Sequence, residues 1–132
     1  MKGLTISYNQ LFVTNENIQV RDIIWTDADL QNGYVTFQGG IVFEAQSNYS
    51  CEISVIIGKF VPKKEALRTV TVPFRIMENS VAVYSVLSEK FSFPVPNGLY
   101  TLSVQALPMQ KPTDDELYRI CYELYFTASY MV

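Results

Sequence analysis

At 132 residues the chain has the length of one domain, and a domain of this size removes roughly two-thirds of its unfolded surface from water, enough for a core without metal or disulfide support. Hydrophobic residues make up 48%, aromatics 14% and charged residues 17%, which excludes a disordered chain and favours one rich in strand formers. A net charge of −3 and a pI near 4.9 argue against a general phosphate-binding surface, since nucleic-acid binders concentrate Lys and Arg; a basic protein partner suits this charge, as does solubility alone.

Leu4, Ile6 and Tyr8 alternate with Thr5 and Ser7, and Leu11 to Val13 continues as a second extended piece, so the N-terminus reads as a broken strand. Thr26 can N-cap a helix, with Asp29 placed to bond back and Gly33 as the left-handed residue past its end, giving about two turns. Gly39-Gly40 then punctuates the chain before a strand over Ile41 to Gln46.

From Cys51 to Ile57 the odd positions are apolar, a half-buried strand that Gly58 and Pro62 to Glu65 end. Val70, Val72, Phe74 and Ile76 repeat the alternation, and Pro73, lacking an N–H, places this strand near an edge. Glu78-Asn79 reads as a hairpin turn into Val81 to Leu87, and Phe91 to Val95 precedes the strong turn signal Pro96-Asn97-Gly98. Tyr100, Leu102, Val104 and Ala106 share one face. Pro108 to Glu116 is the longest loop, and the run from Tyr118 to Ala128 is the clearest alternation, a strand expected at the centre of the fold. About eight short strands and one short helix describe an all-β, two-sheet antiparallel β-sandwich over residues 1–132, with a barrel as the alternative closure.

The chain contains no histidine, which removes the usual general base, the Ser-His and Cys-His nucleophile pairs and the commonest metal ligand. No enzyme and no cofactor are expected. Glu44 and Glu52, read as lying on neighbouring strands, are assigned to solvated faces, and Gly39-Gly40 lacks the spacing of a phosphate-cradling loop. The basic residues are scattered, with Lys59 to Arg68 the one cluster, read as a solvated hairpin loop. Cys51 and Cys121 lack metal-ligand spacing and alternation turns them to different faces, so both are expected as thiols. No charged leader with an apolar stretch opens the sequence and no apolar run approaches the ~20 residues that span a bilayer, so a cytosolic location without membrane insertion is expected.

Two groups of acids can imitate DNA phosphates: Asp27 and Asp29 on the short helix, and Asp114, Asp115 and Glu116 on the long loop. Each also has a local explanation, helix-dipole stabilisation for the first pair and solubility for the loop. Trp25 reads as a lid on the core, while Tyr34 and Tyr49, flanking turns, are the candidates for exposed aromatic contacts.

Several separated motifs in one order carry a resemblance. They are Ile6-Ser7-Tyr8, Trp25-Thr26-Asp27 with Gly33-Tyr34, Gly40 with Phe43-Glu44-Ala45-Gln46 and Asn48, Val70-Thr71-Val72-Pro73-Phe74 followed by Glu78-Asn79, and Phe93, Pro96, Gly98 and Tyr100. Together they resemble the competence protein J family. The resemblance implies a non-enzymatic inhibitor that binds a DNA-entry nuclease and limits its cutting of DNA during uptake by competent bacteria, close to the membrane through that partner alone. An acidic face formed by Asp27, Asp29, Glu44 and the 114–116 loop, with Tyr34 beside it, is the expected contact, covering the nuclease cleft without direct nucleic-acid binding. Two alternatives stay open: an immunity protein against another nuclease toxin, and a small-ligand or glycan-binding sandwich with Trp25, Tyr34 and Tyr49 as an aromatic platform.

Overall fold

The computed structural model describes residues 2–18, 20, 23–46, 50–109 and 119–129. Among them the strands are β1 (Lys2–Thr5), β2 (Gln10–Asn15), β3 (Tyr34–Phe37), β4 (Gly40–Glu44), β5 (Ser50–Ile57), β6 (Arg68–Ile76), β7 (Ser80–Tyr84), β8 (Phe91–Pro94), β9 (Gly98–Pro108) and β10 (Ile120–Ala128), with one helix, α1 (Asp27–Asn32). They form two five-stranded sheets, β1-β5-β10-β9-β6 and β3-β4-β2-β7-β8, stacked as a sandwich. The expected architecture is borne out, with β10 at the centre of its sheet and β6, carrying Pro73, at an edge.

Alternation explains which side chains meet. Along β6, Val70, Val72, Phe74 and Ile76 are buried while the residues between them face water; along β10, Ile120, Tyr122, Leu124 and Phe126 enter the core, and Cys121 and Tyr125 on its other face are buried as well. They join Leu11 and Val13 of β2, Ile41 and Phe43 of β4 and Val81 and Val83 of β7 in one core between the sheets. Phe126 is its largest enclosed side chain, with the rings of Phe74 and Tyr100 edge-on to it at 5.9 and 5.8 Å.

Three features depart from the local reading. The sheet pairing is antiparallel except that β5 runs parallel to β10, from Cys51↔Ile120 to Ile57↔Phe126. β6 therefore also runs parallel to β5, and parallel strands cannot be joined by a tight hairpin. Residues 58–67 instead cross the outer face of the first sheet: Thr127 Oγ1 donates to Gly58 O, Phe60 packs edge-on against Tyr125 at 5.2 Å, and Leu67 N–H donates to Ala106 O. The basic cluster from Lys59 to Arg68 is thus a crossover strap rather than a hairpin loop. Its cover explains why β9 is buried on both faces from Leu102 to Leu107.

Glu78-Asn79 is likewise no hairpin turn, because β6 and β7 belong to different sheets. It and the turn at 96–98 are neighbouring arches between sheets, clamped by reciprocal bonds: Asn79 N–H donates to Asn97 Oδ1 at 2.6 Å and Asn97 N–H to Asn79 Oδ1 at 3.1 Å. Asn79 adopts φ +53°, a conformation its short polar side chain tolerates. Tyr100 Oη adds a bond to Pro96 O at 2.7 Å, holding the second arch to β9.

Cys51 and Cys121 are both buried thiols on adjacent strands, and their register turns them to opposite faces, Cys51 into the core. Burial pushes the Cys51 thiol up to about 12 and raises Cys121 as well, so neither supplies thiolate near neutral pH. An aromatic disulfide reagent at pH 8 is expected to label neither cysteine in the native chain and both in denaturant; rapid native labelling of Cys51 contradicts the burial.

Candidate functional site

The stretch from Thr26 to Gly33 folds by local chemistry. Asp29 N–H donates to Thr26 Oγ1 at 3.1 Å and Thr26 N–H to Asp29 Oδ2 at 3.0 Å, closing the capping box. Gly33, at φ +89°, ends the helix by donating its N–H to Asp29 O at 2.7 Å. Both acids lie in the first turn, where the helix dipole favours them; Asp27 is exposed, and the carboxylate of Asp29 is engaged in the cap.

No residue of α1 is buried, so apolar packing does not fix the helix. Arg68, at the start of β6, tethers it instead. Its Nη2 donates to Gln31 O at 2.7 Å, and its Nη1 lies 3.7 Å from Glu44 Oε2. The guanidinium lies directly over Gly33, where a Cβ would come within 2.4 Å of it. Gly33 thus serves both a left-handed turn and a close approach. Glu44 N–H in turn donates to Gly33 O at 2.8 Å. The structure therefore ties the C-terminal end of the helix that carries Asp27 and Asp29 to Glu44, through an arginine that the sequence places only in a basic loop.

Tyr34 and Trp25 are divided. Tyr34 is half-buried against the core between the sheets, whereas Trp25 lies over a second cluster, Phe12, Val42, Ala82 and Tyr84, on the outer face of the second sheet. Trp25 is a lid, but on that outer cluster rather than the main core, and the two rings form no common aromatic platform. Tyr49, Asp114, Asp115 and Glu116 lie outside the described residues. Glu44 and Glu52, expected on neighbouring strands, belong to different sheets; Glu52 pairs with Arg119 at 3.4 Å. Among the described residues no group of His, Cys, Asp and Glu is placed to hold a metal ion, and no helix is long and apolar enough to cross a membrane.

On the second sheet an open groove of about 630 Å³ is lined by Gln10, Phe12, Val20, Ile23 and Tyr84 and by the exposed Tyr8, Val86 and Leu87. Phe12 and Tyr84, stacked at 5.3 Å, form its floor. The sequence reading passed over Tyr8, Val86 and Leu87 because alternation counts them as ordinary strand residues.

The family description competence protein J (ComJ) matches residues 3–127, nearly the whole chain. The chain belongs to this family. A DNA-entry nuclease inhibitor of Bacillus subtilis (strain 168) is 33% identical over 107 residues, which is 81% of this chain and 81% of that protein. The crystal structure of ComJ from Bacillus subtilis, described as an inhibitor of the DNA degrading activity of NucA, matches with a TM-score of 0.81 at 29% identity, over 95% of this chain and 93% of that one. These relatives are inhibitors of a nuclease. The resemblance read from the separated motifs is borne out, and the fold of the ComJ family is the two-sheet sandwich described above.

Proposed function

We propose that this chain is a stoichiometric protein inhibitor of a DNA-entry nuclease, which binds the nuclease and covers its DNA-binding cleft. Membership of the ComJ family over residues 3–127 carries the reading, since its relatives inhibit such a nuclease. The chain itself performs no catalysis and works as a soluble protein on the cytoplasmic side. Contact falls to Asp27, Asp29, Tyr34, Glu44 and the acids Asp114, Asp115 and Glu116, whose negative charge complements a cleft built to bind phosphates. The joining of α1 to Glu44 through Arg68 supports this reading by holding the first acids in a fixed arrangement.

Titration of the chain into a supercoiled-plasmid cleavage assay with the DNA-entry nuclease of the same genome is expected to stop cleavage at a one-to-one ratio. Full cleavage at large excess removes the proposal. Asp27→Lys, at an exposed position outside the capping bonds, is expected to leave the melting temperature within a few degrees and to weaken inhibition about ten-fold, most clearly at low salt. Undiminished inhibition by this folded variant counts against the acidic face.

A further inference from the structure

Acids alone make a poor anchor, because tight protein–protein interfaces centre on exposed aromatic and aliphatic side chains that become fully covered, with charge at the rim. Such side chains line the groove that reaches Gln10, the register partner of Glu44 across β2 and β4. At the groove's other side Tyr8 is 68% exposed, Val86 46% and Leu87 78%.

These three side chains are carried on two turns that are locked together. Ser7 N–H donates to Ser85 Oγ at 2.9 Å, Ser85 Oγ donates to Gln10 O at 2.6 Å, and Leu87 N–H donates to Ser7 Oγ at 3.1 Å. Ser85 is buried, so the hydroxyl at the centre of the lock is shielded from water. Tyr8 and Asn9 both have positive φ, +54° and +53°, between the bridge partners Ser7 and Gln10, as in a type I′ turn. Asn and Gly suit that conformation; a bulky tyrosine there is strained and, being exposed, gains little burial in exchange. Tyr8 thus has a conformation unfavourable for folding and a rigid, outward presentation.

Charge varies across the same strip. Asp27, Asp29 and Glu44 lie on the α1 side, the groove lining is uncharged, and Lys90 lies on the far side with its Nζ 4.9 Å above the Tyr84 ring. Three strand spacings of about 4.8 Å and a helix about 10 Å across make a strip on the order of 25 Å wide. That is the width of a face burying about 800 Å² per partner.

We propose that this end of the second sheet is the docking face for the nuclease, with Tyr8, Val86 and Leu87 as its apolar anchor. They fill an apolar depression beside the nuclease's DNA-binding cleft, while the acids of α1 and Glu44 meet the basic rim of that cleft and Lys90 sets the opposite end of the contact. The inference rests on the inhibitor reading above and adds residues to it.

Calorimetric binding to the same nuclease, with melting temperatures measured in parallel, tests the face through Tyr8→Asn and Leu87→Ser. Tyr8→Asn is expected to melt at or above the wild-type temperature, because asparagine accepts the left-handed conformation, while Kd rises at least ten-fold. Leu87→Ser, at a largely exposed position, is expected to leave melting unchanged and raise Kd by a similar factor. Wild-type binding with both folded variants binding equally tightly overturns the docking face and leaves the inhibitor reading standing. A wild-type chain that neither binds nor inhibits the nuclease overturns both.

Discussion

Phe126→Ala is expected to lower the free energy of unfolding by about 3–5 kcal/mol, through lost transfer energy and the cavity left among side chains that relax only partly. The ring is fully enclosed on the central strand of its sheet, and both Phe74 and Tyr100 present their edges to it. Aromatic pairs of this geometry are each worth about 0.5–1.5 kcal/mol beyond the area they bury, so one truncation removes two favourable contacts as well as the volume. Against a typical stability of about 5–15 kcal/mol this is a large share. In urea titrations the midpoint should fall with little change in slope. Phe126→Leu, which keeps most of the volume, should lose less than half as much. A loss under about 1 kcal/mol for the alanine variant contradicts the packing described here.

The second large effect is expected at Gln105, whose fully buried amide fastens the strap to the first sheet. Its Nε2 donates to Val61 O and to Glu123 Oε1, each at 2.9 Å, and its Oε1 accepts from Lys63 N–H at 3.1 Å. Gln105→Ala removes three hydrogen bonds, each worth about 0.5–1.5 kcal/mol, so a total loss of about 3 kcal/mol is expected. Hydrogen exchange should rise first in residues 58–67. Unchanged exchange there means the strap is held by Phe60 and Leu67 instead.

Glu123 links this fastening to pH. Burial pushes its carboxyl up, but hydrogen bonds from Lys63, Gln105 and Tyr125 outweigh that and hold it below the usual 4.5. Lys63 is shifted up, chiefly by its bond to the same carboxylate at 2.9 Å. A carboxyl lowered in the folded state contributes stability that is complete above pH 4.5 and lost as pH falls through the folded value. Stability should therefore decline with acid below pH 4.5, and Glu123→Gln should flatten that slope. An equal slope in the variant assigns the acid sensitivity to other carboxyls.

The sequence alone determined what depends on neighbours a few residues apart. Thr26 and Asp29 make a capping box wherever that helix starts, Gly33 is among the few residues that end it comfortably, and Pro73 keeps its strand at an edge because it lacks a donor. The period-two runs from Val70 and Ile120 separate core from outer side chains, since a strand's faces follow from parity. The ordered motifs carried the family, whose similarity extends over residues 3–127.

Tertiary structure decided what parity leaves open. Alternation says which face is buried but not which strand lies beside it, so the parallel β5–β10 pair, the crossover strap, and the arches at 78–79 and 96–98 emerged only when the strands were divided between two sheets. β3 lies outside the local pattern for a related reason, as all four of its residues stay partly exposed. The candidate site divides along the same line. Asp27 and Asp29 were legible because helix capping is local, whereas Arg68 bonds to Gln31 across a separation of 37 positions and Ser7 to Ser85 across 78. No short-range pattern encodes such contacts, because they arise only after hydrophobic burial has brought distant segments together.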